Sequence, residues 1–259
     1  MNTAMKKLAT LLGVTLLTLV SAKAATVYSS NFEPNSQGSS FTNGPVNGQG
    51  TPAWGGFFLS GYDDAGSVVS DTSNGGTQSL NVAGYRTSYV TLASPVQDQW
   101  FEFAFKPNFG GGTAATTWAL TTKGGKSDQW GITMGLSWDG AVGTVYVGGI
   151  EGNGTAIGSF TNGQWQTISF QTDNVAGAYD VFLGSNNFSL GTFEPAGFTG
   201  VQTLVFSSAT ASWVGTGNWN IDGINVGSDS IYVVPEPSTY ALVLGGIATL
   251  LLIRRRVQA

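Results

Sequence analysis

Along the middle of the chain, apolar side chains recur at every second position rather than every third or fourth. Phe101, Phe103 and Phe105 alternate with Glu102, Ala104 and Lys106, and Trp130, Ile132, Met134, Leu136 and Trp138 alternate with Gly131, Thr133, Gly135 and Ser137. A period of two puts one set on a buried face and the other on an opposite face, which is the signature of a strand in a half-buried sheet. The same reading predicts strands at Val27–Phe32, Gln78–Val82, Ser88–Leu92, Thr116–Thr121, Thr144–Val147, Trp165–Gln171, Tyr179–Leu183, Val201–Phe206 and Trp219–Val226. Turn residues separate them: Asn74-Gly75, Lys123-Gly124-Gly125, Asp139-Gly140, Gly152-Asn153-Gly154 and Asn162-Gly163. Residues 26–230 show no helical periodicity, no internal repeat and no linker long enough to divide them. Roughly ten strands of this kind make an all-β, antiparallel β-sandwich of one domain.

The last strand breaks its own pattern. Trp219 and Ile221 share one parity, Ile224 and Val226 the other, and the switch falls at Asp222-Gly223. A bulge with the glycine at positive φ accounts for it and re-aims Asp222. Alternation also sorts seven of the eight tryptophans. Trp100, Trp130, Trp138, Trp165 and Trp219 read as core. Trp54, beside Gly55-Gly56, and Trp213, before Gly215, stand in glycine-rich loops and are the candidates for stacking on a sugar ring, with packing under the sheet rim as the alternative.

Composition narrows the chemistry. Histidine and cysteine are both absent from the 259 residues. This excludes serine–histidine triads, thiol nucleophiles, disulfides and zinc or iron held by imidazole or thiolate. Charged residues are only 10% of the chain. Between residues 26 and 234, four basic residues face fourteen acidic ones, a net charge of −10. A nucleic-acid partner, which needs a basic surface, is therefore not expected. Carboxylate pairs can cleave glycosides without histidine, so Glu33, Glu102, Glu151 and Glu194 are the residues a hydrolase would draw on. Glu102 lies on the face opposite Phe101 and Phe103. The chain has no E-x-D-x-E cluster of the kind that jelly-roll glucanases carry.

The two ends read as addresses. Lys6 and Lys7 precede an apolar run of 13 residues, Leu8 to Val20, and then Ala22 and Ala24 in an A-x-A arrangement. This predicts a signal peptide over residues 1–25, removed by signal peptidase, with an uncut anchor helix as the alternative. At the other end Pro235-Glu236-Pro237 is followed by 14 uncharged, mainly apolar residues, Tyr240 to Ile253, and by Arg254-Arg255-Arg256. As a helix that stretch is ~21 Å long, short of a ~30 Å hydrocarbon core. The arginines hold its end in the cytoplasm. Residues 231–259 resemble a PEP-CTERM sorting signal of Gram-negative bacteria. The resemblance implies membrane anchoring through the C-terminal helix, trimming by an exosortase-type protease, and release to the cell surface or to the polysaccharide-rich matrix of a biofilm.

Several short motifs between the ends are similar to those of a concanavalin A-like or laminin-G-like jelly roll. They are Asn31-Phe32-Glu33, Phe101-Glu102-Phe103, Trp165 to Phe170, Tyr179 to Leu183 and Asn220 to Val226. In carbohydrate-binding jelly rolls a glutamate near the first strand and an aspartate on the last often meet at a structural calcium. Glu33 and Asp222 match those places, and the resemblance implies Ca²⁺ there, with no other cofactor required. Ordinary solvated turn carboxylates are the alternative. Tyr62-Asp63-Asp64 and Asp71 are weaker metal candidates. The function expected is that of an exported, non-catalytic surface or matrix protein with a lectin-like sandwich and a polysaccharide ligand. The alternatives are a polysaccharide-cleaving hydrolase or lyase on the same scaffold and a purely structural surface component.

Overall fold

The computed structural model describes residues 26–34, 41–56, 66–70, 72–84, 86–96, 100–110, 115–123, 130–148, 154–173, 178–192, 201–208 and 218–227. The strands belong to one compact unit, Ala24–Ser230. The expected signal peptide, the Pro235-Glu236-Pro237 motif, the apolar tail and Arg254–Arg256 lie outside the described residues. Among the described residues there is no helix long and apolar enough to cross a membrane.

Every strand expected from alternation has an observed counterpart. They are β1 (Thr26–Ser30), β5 (Ser79–Ala83), β6 (Thr87–Val96), β7 (Trp100–Pro107), β8 (Ala115–Lys123), β9 (Trp130–Trp138), β10 (Gly143–Val147), β12 (Gln166–Asp173), β13 (Ala178–Leu183), β15 (Val201–Ser207) and β16 (Asn218–Gly227). Alternation did not reveal β2 (Gly44–Pro45), β3 (Gly55–Gly56), β4 (Ser67–Val69), β11 (Thr155–Phe160) and β14 (Asn186–Thr192). Three of these are too short to show a period. In β11 the buried residues are Ile157 and Phe160, three apart, because a bulge shifts its register against Val145 and Tyr146 of β10.

All pairings are antiparallel. One sheet of nine strands runs β14-β13-β12-β7-β16-β5-β4-β2, with β1 also on β16. The other, of seven, runs β11-β10-β9-β8-β15-β6-β3. Hydrophobic positions of both sheets face one another, as burial of period-two strands demands. Phe101, Phe103 and Phe105 are buried with Ile168, Phe170, Trp219 and Ile221 of the first sheet and with Ile132, Met134, Leu136, Leu204 and Phe206 of the second. Phe206 is the contact between layers: its ring centroid lies 5.4 Å from Phe103, edge to face, 5.9 Å from Trp219 and 6.0 Å from Trp54. At the other end of the core Phe109, Trp138 and Phe160 stack within 6.4 Å of each other.

The tryptophan assignments hold for Trp138 and Trp219, which are buried in the core; Trp100 is buried too, but with parity opposite to Phe101 it lies over Gly227 and outside the core cluster; the side chain of Trp130 is not among those described. Trp165 is a correction. It is half-buried and precedes β12, whose pairing with β7 begins at Gln166↔Phe105. Its parity is that of exposed Thr167 rather than of buried Ile168, so the strand turns it away from the core.

Phe103→Ala and Phe206→Ala should each cost about 3–5 kcal/mol. In the double mutant the losses should fall short of additive by about 1 kcal/mol, the worth of an edge-to-face pair. Denaturant unfolding of the four proteins measures this, and full additivity would remove Phe206 as the inter-sheet contact.

Candidate functional site

The parity break in β16 is a bulge. Asp222 pairs with Ala104 of β7 and Asn225 with Glu102, so three residues of β16 advance against two of β7. Gly223 has φ 58°, the left-handed conformation that a residue with a Cβ reaches only at a cost. The position of the bulge follows from what lies on the other flank of β16. There Asn218–Ile221 pair with β5, ending at Ile221↔Leu80, whereas Ile224–Gly227 pair with β1, starting at Ile224↔Ser30. Asp222-Gly223 fills the gap between the two partner strands.

The segment leading into β5 and the segment leaving β1 meet at that gap. Beyond β1, Phe32 turns through φ 55° and buries its ring against Phe41 and Trp54, both at 5.3 Å. That turn sends Glu33 outward toward residues 72–78. The Glu33 carboxylate accepts hydrogen bonds from Gln78 N (2.8 Å), Thr77 N and Thr77 Oγ1 (2.6 Å). Asp222 Oδ2 accepts from Asn74 N at 2.7 Å, and its Oδ1 from Gly223 N at 2.7 Å. Gly76 lies so close that a Cβ there would stand 2.1 Å from Glu33 Oε1. Thr72 anchors the start of the segment through Lys106 Nζ (3.0 Å) and Ser79 Oγ (2.7 Å). Beneath it, Asn220 bonds to Ser79, Asn81 and Asn108.

Sequence reasoning chose Glu33 and Asp222 as a pair, and the structure brings both to one seven-residue segment, 72–78. It read Asn74-Gly75 only as a turn. The signal available was the run Asn74-Gly75-Gly76-Thr77, which offers successive backbone N–H groups without side chains in the way. Asp222 is 1% exposed, and burial together with the nearby charge of Glu33 pushes its carboxyl up to about 6, against the two N–H bonds that lower it. Glu33 is shifted below its ordinary value by its bonds to Thr77 and Gln78, which outweigh the opposing effect of desolvation. Two carboxylates that repel across one loop are the electrostatic condition that a divalent cation relieves. Calcium takes roughly six to eight oxygens, so backbone carbonyls would have to complete the shell. Among the described residues no third Asp, Glu, His or Cys joins them.

Trp54 is a correction. It is 1% exposed, enclosed by Phe32 and Phe206, with Nε1 donating to Tyr28 Oη at 3.0 Å. Neither face of its ring is open to a ligand. Burial in the same cluster pushes the Tyr28 hydroxyl up to about 12. Trp213, Glu151, Glu194, Tyr62-Asp63-Asp64 and Asp71 lie outside the described residues. Glu102 is half-buried on the outer face, as its parity requires, and desolvation raises its carboxyl above the ordinary value. Its cross-strand neighbours are Ser169 and Asn225, neither of them a carboxylate.

In chelator, stability should fall as pH rises through about 6. Between the ordinary aspartate value of 3.8 and about 6 the folded state holds a proton on Asp222 that the unfolded state has released. The loss is of order 3 kcal/mol, at about 1.4 kcal/mol per pH unit. Glu102 acts in the same direction and Glu33 in the opposite one, its contribution being lost on acidification. Asp222→Asn, although less stable throughout because its amide meets the Asn74 N–H, should flatten the slope. Urea midpoints from pH 4 to 8 test it, and an unchanged slope in the variant would assign the effect elsewhere.

No protein-family model matches the chain, and no curated protein matches it in sequence. Solved structures do resemble it in fold. Domain 4 of AbnA, an extracellular GH43 arabinanase from Geobacillus stearothermophilus solved with arabinotriose, superposes with TM-score 0.50 at 17% identity, over 79% of this chain and 93% of that one. The cellulose induced protein Cip1 superposes with TM-score 0.50 at 12% identity, over 78% of this chain and 97% of that one. A sialidase from Trypanosoma rangeli gives TM-score 0.50 at 10% identity, over 82% of this chain but 32% of the enzyme. At these identities the likeness is one of fold, and the chain is an antiparallel β-sandwich similar to these proteins.

Proposed function

We propose that the chain is an exported, non-catalytic surface or matrix protein whose β-sandwich binds polysaccharide. The observation that carries this reading is how the carboxylates at the candidate site are used. All four oxygens of Glu33 and Asp222 accept hydrogen bonds from backbone N–H groups or a threonine hydroxyl. They tie residues 72–78 to both ends of the domain. A glycosidase instead keeps an acid and a base facing each other across space for a sugar. The arabinanase domain solved with arabinotriose supports a sugar ligand for a sandwich of this shape. In this reading signal peptidase removes residues 1–25 and an exosortase-type protease acts near Pro235-Glu236-Pro237. The membrane holds the chain only through Tyr240–Ile253 before processing. Glycan-array binding combined with an assay for new reducing ends and unsaturated products tests the function. Binding without product supports it; release of product overturns it.

One observation favours a second reading, a polysaccharide-cleaving enzyme. Glu102 is half-buried with a raised carboxyl, a condition suited to a general acid. If product is released, Glu102→Gln should abolish it while binding survives.

Calcium at Glu33 and Asp222 is the further element of the proposal. An ion held only by the folded state stabilises by about 2.7 kcal/mol at a hundred times its Kd. Melting with excess Ca²⁺ and with chelator, after removal of bound metal, should give a higher Tm with Ca²⁺ in wild type. Glu33→Gln should lose that difference. Equal melting temperatures in wild type would leave the segment held by hydrogen bonds alone.

A further inference from the structure

The outer faces of the two sheets differ in charge. On the nine-stranded sheet the residues with parity opposite to the core include Glu102, Lys106, Asp180 and Asp222. On the seven-stranded sheet the described side chains of that parity include Tyr89, Thr91, Thr133, Ser137, Thr144 and Tyr146, and none of those described is charged. Lys123 occupies a register position opposite Thr203 at the end of β8. Apart from that Lys123 position, the described side chains of this face are hydroxyls, tyrosines and glycine without charge, in a segment whose net charge is −10.

One row crosses the middle of that face. Tyr146 pairs with Gly135 on one side and Ala156 on the other, and Gly135 pairs in turn with Trp118. Thr144 precedes Tyr146 on the same face, opposite Ser137. Tyr146 is half-buried, with a hydrogen, a methyl and a short hydroxyl side chain as its immediate neighbours on the sheet. Tyr89 differs: its ring lies across Gly55, where a Cβ would stand 2.3 Å from Tyr89 Cζ, so that ring closes the sheet rather than offering a platform. The positions of Tyr146 and Trp118 are two strands apart, about 10 Å at the usual spacing.

We infer that this face of the seven-stranded sheet, centred on Tyr146 and the glycine beside it, binds an extended neutral glycan. The inference rests on the polysaccharide-binding reading and adds the place and the class of ligand. The apolar face of a pyranose or furanose ring stacks on Tyr146. Thr133, Ser137 and Thr144 supply hydroxyls that donate to and accept from sugar hydroxyls. An anionic polymer would find no countercharge among these residues and would be repelled by the acidic remainder of the domain.

Affinity electrophoresis of the full chain tests the inference, in gels containing xyloglucan, linear arabinan, polygalacturonate or alginate. At least one neutral gel should retard the wild type, and neither anionic gel should. Tyr146→Ala should weaken retention roughly tenfold. Thr144→Lys, which places a charge on the row, should weaken it as well. Thr167→Lys, on the other sheet, should not, and circular dichroism confirms that each variant is folded. Retardation of Tyr146→Ala and Thr144→Lys equal to wild type would overturn the site while leaving polysaccharide binding intact. Retardation only in the anionic gels would overturn the neutral class. Absence of retardation in every gel would overturn the polysaccharide reading and this inference with it.

Discussion

The ring of Phe206 is where the two layers of this protein become one core. Without cysteine no disulfide ties the sheets together, so cohesion between them rests on side-chain contact. Phe206, from the seven-stranded sheet, touches Phe103 and Trp219 of the nine-stranded sheet and Trp54 from the loop that precedes β3. Through Trp54 the contact reaches Phe32, Phe41 and the hydroxyl of Tyr28, and so the first strand. Enclosure by that chain of rings makes Trp54 structural. A tryptophan that donates its N–H to a buried tyrosine while filling the space between layers has no face left for a sugar.

The second constraint is that β16 has more partners than one straight strand can serve. It pairs with β7 along its length and, on the other flank, first with β5 and then with β1. The bulge at Asp222-Gly223 accommodates the change. It leaves a buried carboxylate at the point where the segment entering β5 needs an acceptor for Asn74 N–H. Glu33 performs the corresponding task for Thr77 and Gln78 from the end of β1. Two acidic residues far apart in sequence thus hold one loop, and the charge repulsion between them is the cost of that arrangement.

Charge also divides the surface. Acidic and basic residues cluster on the outer face of the sheet that carries the clamp, whereas the described part of the other outer face carries glycine, hydroxyls and tyrosine. The face that closes the fold and the face proposed to take a neutral glycan are therefore on opposite sides of the sandwich.

Much of this was legible in the chain itself. A period of two announced eleven of the sixteen strands, because side chains of a regular strand alternate by geometry whatever the strand packs against. The parity change at Asp222-Gly223 announced the bulge for the same reason. The absence of histidine and cysteine excluded whole classes of chemistry without any coordinates. Tertiary structure alone decided which partner each strand takes, and therefore why the bulge falls where it does. It also decided that Asn74, Thr77 and Gln78 meet Glu33 and Asp222, since hydrogen bonds between residues 44 to 148 positions apart leave no local pattern. Trp54, expected in an open loop, is enclosed in the core, and Trp165, expected in the core, is half-buried, on the same ground. A glycine-rich neighbourhood says that a backbone can turn closely, but only the packing of the two sheets determines whether the tryptophan beside it is covered.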